Sequence, residues 1–242
     1  MGSGKYGALS GVISRMQMLD NINSNLANVN TTGYKKGVAV FETQLNEAAA
    51  TRGGQATNFT RINREAIDFS QGQLNKSGNP LHLAISGEGF FRVQTEEGDM
   101  VYARRGNFQL NQDGEMITSS GAKLLDDGDS PIIIPPGDVS ITPTGGIRVE
   151  NQLVGTVPLY DFEDTNLLTR GNDGVFIAPE DAVVTKSPKP EMLQGYLEGS
   201  NVNIMQETAR MVYNTRVFEA GQKVLTSYGN MDSKLAELGG LQ

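Results

Sequence analysis

Side chains able to carry chemistry are sparse in this sequence of 242 residues. It has no cysteine and a single histidine, His82. Thiol nucleophiles and thiolate metal sites are therefore absent. A histidine general base has one candidate, in a predicted strand, and a metal site would need almost wholly carboxylate ligands. Gly87-x-Gly89 opens like a dinucleotide loop, but Arg92 stands where the third glycine belongs. A strand is expected to follow it, whereas a pyrophosphate needs a helix N-terminus. Gly4-Lys5 resembles the end of a phosphate loop, yet Tyr6 replaces the hydroxyl that would hold magnesium. Asp126-Asp127-Gly128-Asp129 has the density of a calcium loop without its spacing or distal glutamate, and reads as a solvated turn.

Glu88, Glu96, Asp99 and Asp113 are the nearest supply of paired carboxylates for a hydrolase, for example one opening peptidoglycan. All fall in predicted turns, where acids are expected for solubility. No catalytic, cofactor or metal residue is assigned, and no small-molecule substrate is expected. The chemistry left to the chain is assembly. A net charge of −8 and a pI near 4.8 argue against nucleic acid and anionic membranes as partners. No apolar run approaches the ~18 residues of a membrane span. The N-terminal residues lack an apolar signal core, so the chain is expected either to stay in the cytoplasm or to leave without a cleaved signal.

Assembly requires elements that present surfaces, and the periodicity supplies two. From Asn201 to Leu238 apolar residues recur at sevens: Ile204, Met211, Phe218 and Leu225, with a neighbouring row of Val217, Val224, Met231 and Leu238. Tyr228 and Leu235 fill the alternate places. This period fits only a helix, roughly 55 Å long at 1.5 Å per residue. At the other end Leu9, Val12, Met16, Leu19, Ile22, Leu26 and Val29 trace a second helical face. Such stripes are stable only when covered. The fold class read from this is α+β, with paired amphipathic N- and C-terminal helices, a coiled-coil-like stem, carrying an all-β middle domain. An ordinary helical hairpin closing a globular core fits the same period.

The predicted boundaries are an N-terminal helical stem segment with its exit at residues 1–45, an extended connector at 46–80, the β domain at 81–190 and a C-terminal stem segment at 191–242. Asn21 to Asn30 holds five asparagines, which compete for backbone hydrogen bonds, so the helix is expected to end before them. Gly33 then reads as a left-handed stop. Residues 48–58 look like a loop and 58–73 like extended chain. Turns at Glu96-Glu-Gly-Asp99 and Asp113-Gly114 predict hairpins. Lys186 to Pro190 reads as the link back to the stem.

The run Asn25, Leu26, Ala27, Asn28, Val29, Asn30, Thr31, Thr32, Gly33, Tyr34, Lys35 resembles the N-terminal signature of bacterial flagellar axial proteins, those of rod and hook. Leu83 to Phe91, Tyr102 to Phe108, Asp113 to Gly121 and Gln194 to Asn203 are similar to later motifs of that family. The resemblance implies a self-assembling, non-enzymatic rod subunit, part of the motility drive shaft, with a hook-type axial protein as the alternative. The short region between Pro131 and Pro190 favours the proximal over the distal rod. It further implies copies of itself, other rod proteins and the flagellar type III export apparatus as partners, in the periplasmic basal body. Both helical faces then pack against neighbouring subunits. Asn25, Asn28 and Asn30, with Gly33, would form the turn between stem and body and bond backbone groups between subunits.

Overall fold

The computed structural model describes residues 2–45 and 58–239, so most of the predicted loop at 48–58 lies outside the described residues. The chain divides into two compact units. Met1–Ala27, Gly37–Ala66 and Asn203–Gln242 make the first, and Asn28–Lys36 with Ile67–Val202 the second.

The first unit is built on helix α1 (Gly2–Ala27) and helix α2 (Ile204–Gly239), with strands β1 (Lys36–Leu45) and β2 (Asn58–Asp68) paired as a two-stranded sheet. The heptad run is therefore helical, and its 36 residues span about 54 Å. Asn203 starts it: its side chain accepts from the Gln206 amide at 3.1 Å, and Glu207 places an anion in the first turn. The two helices pack antiparallel. Arg15 Nη1 donates to Asn214 Oδ1 at 2.9 Å, and Val12 lies so near Gly221 that a Cβ there would meet its methyl at 2.7 Å. Among the described residues no helix is long and apolar enough to cross a membrane.

Helix occupies less of the N-terminal 45 residues than expected, because Lys36–Leu45 is strand. Val38 and Val40 alternate there, both exposed, a period of two in β-branched residues that favour strand. Helix also persists through Asn21, Asn23 and Asn25. The Asn25 side chain does not compete with its own helix: Nδ2 donates to Gly37 O and Oδ1 accepts from Gly37 N, both at 2.9 Å.

The second unit is β-rich, as expected, though not wholly β: 3-10 turns lie at Thr165–Leu167 and Asn172–Gly174. Its strands are β3 (Leu74–Lys76), β4 (Leu83–Ile85), β5 (Phe91–Gln94), β6 (Met100–Ala103), β7 (Gln109–Leu110), β8 (Met116–Ile117), β9 (Lys123–Leu124), β10 (Val139–Ile141) and β11 (Gly146–Val149). They continue as β12 (Gln152–Thr156), β13 (Tyr160–Phe162), β14 (Thr169–Arg170), β15 (Val175–Ile177), β16 (Val184–Lys186), β17 (Met192–Gln194) and β18 (Tyr196–Glu198). A seven-stranded sheet runs β14-β15-β6-β5-β9-β8-β7 and a three-stranded one β10-β11-β12. Both predicted hairpins form, β5 with β6 and β7 with β8. Inward side chains alternate along β5, where Phe91 and Val93 are fully buried.

The 191–242 segment is not helical throughout. Beyond Pro190 the chain makes β17 against β4 and β18 against β3 before α2 begins. Met192 enters the main core there, which gives this stretch a reason to stay with the body. Gln194 also reaches across to β10, where its Nε2 donates to Val139 O at 2.9 Å and its Oε1 accepts from Ile141 N at 3.1 Å, along the outer side of that strand.

Candidate assembly site

In the second unit the signature turn is held by a buried cluster of charges. Gly33 has φ +66°, and a Cβ there would lie 2.7 Å from the Arg105 amide nitrogen, so both conformation and space require glycine. Its N–H donates to the Glu198 carbonyl at 2.7 Å. Tyr34 is buried under the Arg170 guanidinium, 4.5 Å from the ring centre, and Arg170 also donates to Lys35 O at 2.7 Å.

Lys35, Arg104 and Glu198 are all buried. Lys35 Nζ meets Glu198 Oε1 at 2.7 Å and Arg104 Nε meets Oε2 at 2.6 Å. Further bonds go to carbonyls. Lys35 Nζ bonds Ser70 O at 2.8 Å and Phe69 O at 3.3 Å, and Arg104 bonds the carbonyls of Gly89 and Gly87. Gly72 N donates to Glu198 Oε1 at 2.8 Å. Burial pushes the Lys35 ammonium below its ordinary value, opposed by the attraction of Glu198. Beside it, Asn201 ties Lys36 N (2.7 Å) to Asp68 O (2.8 Å). Burial raises the Asp68 carboxyl, but the bonds from Ser70 and the charge of Lys36 outweigh it and hold the group below its ordinary value.

The predicted packing residues of the first unit divide. Ile22 is buried, and Val12, Leu19, Leu26, Met211, Val217, Phe218 and Leu225 are half-buried. Met16 is 56% exposed, Ile204 52%, Met231 50%, Val224 47% and Leu9 43%, enough to leave these faces uncovered within one chain. The side chains of Leu235 and Leu238 lie outside the described set. Polar Ser14, Asn25, Glu207 and Asn214 are buried instead. Of the motif residues, Asn25 and Tyr34 are buried, Asn30 and Ala27 exposed, and Asn28, Val29 and Thr32 half-buried. Asn28 closes the turn by accepting from Thr31 at 3.1 Å.

The candidate acids do not gather. Glu88 lines a cleft of about 500 Å³ with Asp161, Glu163, Lys35 and Arg104, whereas Glu96 and Asp99 line a separate one. Asp113 sits in the β7–β8 turn, its amide held by Asn111. His82 is occupied by Ser77 at 2.9 Å and Asn79 at 3.3 Å. Among the described residues no group of three or more acids or histidines is placed to hold a metal. Sequence reasoning missed Arg104 and Glu198. The available signal was a charge directly after a short apolar run, Arg104 after Val101-Tyr-Ala103 and Glu198 after Tyr196-Leu197.

Comparison with known proteins bears on this arrangement. Residues 84–149 match the flagellar hook protein FlgE/F/G D1 domain, and residues 193–238 the flagellar basal body rod FlgEFG protein C-terminal region. The chain is 33% identical to the flagellar basal-body rod protein FlgF of Mesorhizobium japonicum over 217 residues, 88% of each chain. It is 30% identical to FlgF of Caulobacter vibrioides over 98% of each. To FlgG of Buchnera aphidicola subsp. Schizaphis graminum it is 29% identical, over 95% of this chain and 96% of that one, so FlgF is favoured. Matched along nearly its whole length by basal-body rod proteins, the chain belongs to that flagellar family.

Proposed function

We propose that this chain is a structural, non-enzymatic subunit of the flagellar basal-body rod, joining copies of itself and other rod proteins through its helix pair. The observation that carries this reading is the exposure of Leu9, Met16, Ile204, Val224 and Met231 on helices whose buried contacts include Ser14, Asn25, Glu207 and Asn214. Uncovered apolar faces of this size mark interaction surfaces. Neighbours that cover them head to tail, without closing a ring, make a helical filament. Delivery by the flagellar export apparatus to a rod crossing the periplasm fits the same reading, as does a proximal position. The rod proteins to which the chain is similar support a structural rather than a catalytic role.

Replacing Met16 and Val224 together by aspartate tests this. Both are exposed in the subunit, so the β body should unfold at its normal temperature. A charge in the assembled apolar interface costs several kcal/mol, so cells carrying only the variant should make the subunit and fail to swim. Normal swimming with normal rods would overturn the helix-face model.

A further inference from the structure

Among the described residues Glu198 is the carboxylate bonded to both buried cations, and it lies 163 positions from Lys35 and 94 from Arg104 along the chain. We infer that the Glu198 carboxylate gates the docking of the 28–36 turn: the turn seats on the body only after the β17–β18 segment has delivered that charge.

The cluster is unequal by arithmetic. Without Lys35, a balanced Arg104–Glu198 pair remains. Without Glu198, an ammonium and a guanidinium are left together among the carbonyls of Phe69, Ser70, Gly87 and Gly89 with no bonded carboxylate, and Asp68 attracts Lys35 less than Glu198 does. Carbonyl dipoles do not neutralise two like charges taken out of water, and breaking a buried pair at its shared partner is severe. The carboxylate also receives Gly72 N, so the 70–72 segment, which supplies a carbonyl to Lys35, is set by the same group. The turn's own bonds are weak by comparison: Thr31 N to Asn28 O at 3.1 Å and Tyr34 N to Thr31 O at 3.2 Å. A chain presented from its N-terminus offers Lys35 and Arg104 before their anion, and the turn waits. This inference does not depend on what covers the helices.

Amide hydrogen exchange on the full chain tests it, with Tyr34 as reporter because its acceptor, Thr31, lies inside the turn. Glu198→Gln keeps the size of the side chain and the backbone carbonyl that holds Gly33. It should speed exchange at Tyr34 and Gly72 about a hundredfold, with Lys35→Met changing them only about threefold or less. Amides of β5 and β6 should keep their rates in both. Unchanged exchange at Tyr34 in Glu198→Gln, or equal acceleration in the two variants, would overturn the gate. Pulse-labelled refolding of the unaltered chain stands independently of variant folding. Protection at Tyr34 should appear together with that of Leu197 and Gly199, and its earlier appearance would overturn the inference. Failure of the Met16 and Val224 variant to assemble should leave all these rates unchanged.

Discussion

In the second unit Phe91 is wholly buried and meets Phe108 edge-on at 5.3 Å. In the first, Met16 keeps 56% of its surface exposed while Asn214 is buried against Arg15. The β body thus follows the usual logic of a finished core, apolar inside with its buried charges paired. The helix pair reverses it in part, placing hydrogen-bonding groups inside and apolar ones outside. The body buries its core within the chain, whereas the helix pair carries polar bonds such as Arg15 to Asn214 and keeps much of its apolar surface in water.

That contrast can be broken by mutation. The largest effect should come from Phe91→Ala, which removes a fully packed ring and should cost the body about 3–5 kcal/mol in denaturant unfolding. The matching Met16→Ala should change subunit stability by about 0.5 kcal/mol or less. Similar losses at both positions would mean that the helix face is already a closed core. Asn25→Ala should come next. It strips two buried bonds from Gly37, costing about 2 kcal/mol, measured as faster amide exchange at Gly37 while β5 and β6 are unaffected. Loss of β-body stability in that variant would contradict the separation of the two regions.

The smallest effect concerns acid. The folded Asp68 carboxyl lies below its ordinary value, so in its charged form it favours the native state. That contribution is complete above the unfolded value of about 4 and is lost as pH falls through the folded one. Asp68→Asn should therefore flatten the acid limb of stability slightly, read as the pH dependence of thermal unfolding below about pH 4. An unchanged limb would remove Asp68 from the acid response.

The sequence made some of this plain and hid the rest for physical reasons. Helix α2 was legible because Ile204, Met211, Phe218 and Leu225 repeat at a spacing no strand can use. The hairpins around Gly98 and Gly114 were legible because their turns need positive φ, which glycine permits. The strands β17 and β18 were not, since three-residue runs carry too little periodicity to separate them from a linker. The continuation of α1 through Asn25 was also hidden, because the side chain finds its partner in Gly37, beyond the end of the helix. The Lys35–Arg104–Glu198 cluster left only scattered charges in the sequence, since its pairing spans most of the chain.

The Gln194 amide carries one more consequence. With its Nε2 on Val139 O and its Oε1 on Ile141 N, it stands in for a peptide group of a further strand. Open strand edges are templates for other chains, and this one is plugged by a single side chain. For a protein whose relatives are rod proteins, the side chain narrows the ways in which two copies can stick, so that sheet-to-sheet growth at β10 would not compete with the helix contacts proposed above.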